Sequence, residues 1–175
     1  MIFGATSRLP AALAGTAGAL LLAVTPAGCA TAQTPDSGQI YGRTTPKPVP
    51  EVVEDVEFAI TERNFRITSQ LHVGRGIRER DKISFPDYEV ILFCNMVIAR
   101  HMLELDPGFI NYCPGRITVR RGGEATHIAA PLLPRPTGPN AALAALVDQI
   151  NAQLRVIVDY GTEHWATKGD VRLFL

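Results

Sequence analysis

Between residues 49 and 160 the apolar positions switch repeatedly between helical and strand spacing. Val52, Val53, Val56 and Ile60 recur at three and four, which predicts a helix over 49–63. Pro50 suits its first turn, and Glu51, Glu54 and Asp55 oppose the positive end of its dipole. Asn64 can end it in a left-handed conformation. Residues 65–73 then alternate, placing Phe65, Ile67, Ser69, Leu71 and Val73 on one face of a half-buried strand. Residues 88–93 are apolar on both faces apart from Glu89 and read as an interior strand. Asn95 is a natural N-cap for a helix to Leu105 with Ile98, Met102 and Leu105 inward, stopped by Asp106-Pro107-Gly108. Two strands, 116–121 and 125–132, meet at Gly122-Gly123, a hairpin signal. The clearest helix is 141–160, where Leu143, Leu146, Val147, Ile150, Leu154, Ile157 and Val158 form one long stripe. The order α-β-β-α-β-β-α predicts a single α+β domain over 49–175. It would have two layers, a four-stranded, mainly antiparallel sheet with helices packed on one face.

The pattern ahead of this domain is different. Arg8 is the only charge before Asp36, and residues 11–24 form an apolar run of about 14, the length of a signal-peptide core and too short to span a bilayer. Residues 1–32 are therefore expected to be an export leader. Ala30-Thr31-Ala32 offers a signal-peptidase site that would leave Gln33 first. Ala27-Gly28-Cys29 resembles the end of a lipobox, which would leave a lipidated Cys29, although Pro26 stands where a branched apolar residue is usual. Residues 33–48, with prolines at 46 and 48, read as a semi-rigid linker. The expected location is the periplasm, or the outer membrane through a lipid anchor.

Charge adds an exclusion. Removing Arg8 with the leader leaves 16 basic against 17 acidic residues, a net of −1 with no basic footprint, so nucleic acid is not an expected partner. Hydrophobic content of 46% is enough to bury a core.

Candidate chemistry centres on two cysteines. Cys94 ends a strand just before a helix N-terminus, and Cys113 follows that helix. In an oxidising compartment they would pair, and a loop of this size would contribute about 3 kcal/mol. Two buried inert thiols are a second reading. A Cys94 thiolate favoured by the helix N-terminus, or a thiol holding metal, is a third. His101 and Met102 lie on the intervening helix, so haem or a soft metal is an alternative to the expectation of no cofactor. Residues 74–82 concentrate Arg75, Arg78 and Arg80 in a glycine-containing basic loop that could cradle an anion, or simply be a solvated loop neutralised by Glu79 and Asp81. No nucleophile–base set assembles, so catalysis is not expected.

Residues 88–134 resemble the bacterial domain-of-unknown-function family 302, most specifically at Phe93-Cys94-Asn95 and Leu105-Asp106-Pro107. The likeness extends over about 49–161. It implies a compact α+β fold and association as a homodimer, and some similar exported members occur with envelope redox or sulfur-compound metabolism. Where relatives often read Met-Pro-Cys before the hairpin, this chain reads Cys113-Pro114-Gly115, a thiol displaced by two positions. The resulting expectation is a non-enzymatic envelope domain binding a small anionic ligand or an envelope protein at the Cys94/Asn95 helix start. Cys113, His101, Arg75 and Arg78 complete the candidate set. The alternatives are a thiol-redox or metal-handling protein using Cys94 and Cys113, and a structural lipoprotein.

Overall fold

The computed structural model describes residues 39–163. The proposed leader, its Cys29 and the C-terminal segment 165–175, whose end 171–175 is apolar in sequence, lie outside the described residues. The domain is α+β, with a five-stranded open sheet in the order β1-β5-β4-β3-β2 and every neighbouring pair antiparallel. Its strands are β1 (Ile40–Thr45), β2 (Arg66–His72), β3 (Tyr88–Cys94), β4 (Gly115–Gly122) and β5 (Ala125–Pro131). Its helices are α1 (Val49–Glu62), α2 (Val73–Asp81), α3 (Met96–Leu105) and α4 (Ala141–Tyr160), with a 3-10 helix at Pro107–Tyr112.

The alternation of each strand selects one face for burial. Ile91 and Phe93 of β3, Ile117 and Val119 of β4, and Ile128 and Ala130 of β5 are buried, while Leu92, Thr118 and Ala129 between them are only half-buried. Against the buried face α1 sets Val52, Val56, Ala59 and Ile60, and α4 sets Val147, Leu154, Ile157 and Val158. Each branched or aromatic side chain among them taken out of water contributes roughly 1.5–3 kcal/mol, so these two stripes and the sheet make the core. Among the described residues only α4 is long and apolar enough to cross a membrane, with a mean hydropathy of 1.3. Its apolar stripe packs into this core.

Four expectations are corrected. The sheet has five strands, not four, because residues 40–45 of the expected linker form edge strand β1 along β5. Side chains hold it there. The Tyr41 hydroxyl donates to both carboxylate oxygens of Asp159 on α4 (2.8 and 3.1 Å), and Arg43 pairs with the same carboxylate at 3.0 Å. Lys47, its side chain 3% exposed, donates to Asp55 and to the Glu163 carbonyl, while its own carbonyl accepts from Thr126 Oγ1 at 2.7 Å.

The basic loop is instead mostly helix α2. Two glycines cost a helix about 1 kcal/mol each, so local preference argues against it, and tertiary contacts override that preference. The Arg78 guanidinium donates to the Phe85 carbonyl at 2.7 Å and pairs with Asp87 at 2.9 Å. Gly74 is required by close approach, since a Cβ there would lie 2.3 Å from the Pro86 carbonyl oxygen.

The single face expected for 65–73 is also broken. A bulge between Ile67 and Ser69 shifts the register, so Gln70 and His72 lie opposite Ile91 and Glu89, and Leu71 turns outward. His72 meets Glu89 at 2.6 Å. The fourth correction is one of order, since a strand precedes the first helix and α2 separates β2 from β3.

Candidate functional site

A cavity of about 560 Å³ opens at the end of the sheet where β3 stops and β4 begins. Helix α3 lends it Ile98, Ala99, Met102 and Leu103, and the segment after α3 lends Phe109, Tyr112 and Cys113. Ile150 and Leu154 of α4 form another wall, and Leu132 and Leu133 after β5 complete the apolar lining. This is the size and character of a small-molecule site.

Two local sequences shape the wall. At the end of β3, Asn95 caps α3, its side-chain oxygen accepting from the amides of Val97 (3.0 Å) and Ile98 (3.1 Å). Its amide nitrogen donates to the Asn64 carbonyl at 2.9 Å, tying the helix start to the left-handed turn after α1. At the end of α3, Asp106 accepts from Gly108 N at 2.8 Å and starts the 3-10 helix that returns the chain toward β4. The Cys113–Pro114 peptide is cis.

That return brings Cys113 to Cys94, with Sγ–Sγ 3.4 Å, both thiols free and both lining the cavity. Burial, and secondarily the hydrogen bond and charge of Cys113, push the Cys94 thiol up to about 11. These surroundings favour the protonated thiol over the helix-stabilised thiolate, the third reading of the pair. The first-turn amides of Val97 and Ile98 are already taken by Asn95, and loss of solvent penalises the charged sulfur.

Of the other residues singled out, the fold gathers few. Asn95 lines the cavity with the two cysteines. His101 is exposed and lines a separate shallow groove with Glu104, Leu105 and α4 residues, so it does not converge with the thiols. Met102, its neighbour, does line the cavity. Arg75 and Arg78 belong to α2, where they pair with Glu79 and Asp87, and neither lines the cavity. Among the described residues no three His, Cys, Asp or Glu side chains are grouped to hold a metal ion. Sequence reading missed Arg116, Tyr112 and the walls from α3, α4 and the segment after β5. The available signal was the run Phe109-Ile110-Asn111-Tyr112, apolar and aromatic yet too short to score as an element.

Comparison with known proteins agrees with this architecture. The crystal structure of an uncharacterized conserved protein DUF302 from Bacillus stearothermophilus superposes with a TM-score of 0.61 at 19% identity, covering 69% of this chain and 96% of that one. At that identity the likeness speaks for the fold alone. A search of curated proteins gives no match. The family model for the domain of unknown function DUF302 matches residues 41–160, from the second residue of β1 to the end of α4. The chain belongs to the DUF302 family.

Proposed function

We propose that this domain is a non-enzymatic binding module of the bacterial cell envelope that takes a small, largely apolar ligand into the cavity beside Cys94 and Cys113. The observation that carries the reading is the cavity itself, about 560 Å³ and walled mainly by apolar side chains from α3, the 3-10 helix, β3, α4 and the segment after β5. Residence in the envelope rests on the leader pattern of residues 1–32. The full chain should enhance the fluorescence of the neutral probe N-phenyl-1-naphthylamine saturably. Ala99→Trp, which places an indole in the cavity, should abolish the enhancement while the circular dichroism melt stays cooperative. No saturable enhancement by the wild-type chain would overturn the reading. Mass spectrometry of protein from envelope fractions tests export: a start at Gln33 or a diacylglyceryl adduct on Cys29 supports it, and an intact leader refutes it.

One observation favours a second reading, thiol redox. At 3.4 Å the two sulfurs need about 1.4 Å of closure to bond. Their oxidation would pass two electrons to an oxidised disulfide of the envelope, which takes up the two protons as its thiols form. The double variant Cys94→Ser with Cys113→Ser separates the readings. Binding of the probe survives it if the cavity is the function, whereas disulfide-exchange activity disappears if the thiols are.

A further inference from the structure

We propose that the cavity selects an amphipathic anion, one short apolar chain ending in a carboxylate or similar group, and that Arg116 pairs with that group. The inference rests on the cavity being a ligand site and names the class of ligand it takes. Arg116 is the only charged side chain among the described residues that line the cavity. It stands at the start of β4, opposite Leu92 of β3, where the cavity meets solvent, and the residue is exposed. Arg43, Arg78, Arg100 and Arg135 are each engaged by a carboxylate. Arg116 has no ion-pair or hydrogen-bond partner among the described residues. Tyr112 lines the same cavity and is 44% exposed, and its hydroxyl has no hydrogen-bond partner among the described residues, which leaves it free as a second donor.

The remaining polar groups are largely committed. The Asn95 amide serves the α3 cap and Asn64, and the Asn111 amide donates to the Gly108 carbonyl. A cation at the edge of a low-dielectric wall attracts an anion more strongly than one in open water, and a guanidinium matches a carboxylate in two-pronged geometry. The apolar lining then recognises the rest of the ligand by burial. A volume of about 560 Å³ suits one short chain better than the two tails of a phospholipid.

The test uses the full chain and displacement of N-phenyl-1-naphthylamine by decanoate and by decanol, both below micelle formation. Arg116→Gln should weaken displacement by decanoate about tenfold, the loss of one charge-assisted contact, and leave decanol unchanged. Equal effects on both ligands, or none on either, overturn the proposal. If the probe binds but neither decyl compound displaces it, the amphipathic ligand fails and the cavity reading stands. If the probe itself does not bind, both fail. Sedimentation with phosphatidylglycerol vesicles separates the sources of the anion. Arg116-dependent vesicle binding without decanoate displacement would assign the site to a lipid headgroup and overturn the single-chain ligand.

Discussion

Alkali should destabilise this domain through one thiol. In the folded chain Cys94 is buried at 9% exposure, and its pKa rises from 9.0 to about 11. The unfolded chain releases the Cys94 proton near the ordinary value, while the folded chain keeps it. The stability due to the protonated thiol is therefore present in full below about pH 9 and is lost as the pH climbs through about 11. A rise from 9.0 to about 11, at about 1.4 kcal/mol per tenfold change in proton affinity, gives a loss of up to about 3 kcal/mol, a large fraction of the stability of a domain this size. Other groups ionise in alkali too, so the wild type must be compared with Cys94→Ala, which lacks this proton. Urea unfolding followed by circular dichroism, with reductant present, measures the difference at about pH 8 and about pH 11. Cys94→Ala should be the less stable protein at the lower pH, from the small void it leaves, and should close or reverse that gap at the higher one. A gap that stays constant across the interval refutes the reasoning, because Cys94 would then ionise equally easily in both states.

Other perturbations probe the rest of the frame. Lys47→Met should cost about 2–3 kcal/mol and lower the melting temperature, since it leaves Asp55 at 22% exposure without its ammonium partner and frees the Glu163 carbonyl. Asn95→Ala removes the cap of α3 together with its bond to Asn64, and a loss of about 1–2 kcal/mol in urea unfolding is expected. Gly74→Ala drives a Cβ against backbone at Pro86 and Tyr88, where nothing flexible can yield, and should cost at least about 2 kcal/mol by the same measurement. Treating the native protein with a mild disulfide reagent should link Cys94 to Cys113 within one chain, read as the loss of two hydrogens in the intact mass. Recovery of only singly capped thiols would show that the 3.4 Å pair cannot close.

Periodicity along the chain was enough to place α1, α3, α4 and the β4–β5 hairpin to within a residue or two, because each carries its own apolar stripe or turn glycines. The left-handed Asn64, the Asn95 cap and the stop at Asp106-Pro107 were legible for the same reason: they are local chemistry, set by side chains a few residues apart. The proximity of Cys94 and Cys113 was one of several open readings, since a cap and a stop suggest a return without fixing where it lands.

What lay beyond local pattern depended on contacts distant in sequence. Strand β1 looks like a proline-rich spacer until Tyr41 meets Asp159, 118 residues away, and β5 supplies its ladder. Helix α2 has two glycines and little apolar content, and is held by Phe85, Pro86 and Asp87. The bulge that turns Leu71 outward comes from pairing with β3, which the alternation of β2 by itself does not encode. The cavity draws on β3, α3, the 3-10 helix, β4 and α4, and Arg116 stands out only because the other described lining residues are uncharged. The sequence by itself determined the elements, their caps and the two thiols, since short-range sterics and hydrogen bonds decide these. Only the tertiary structure decided the fifth strand, the raised Cys94 pKa and the cavity, because edge pairing, desolvation and enclosure are properties of chains brought together from afar.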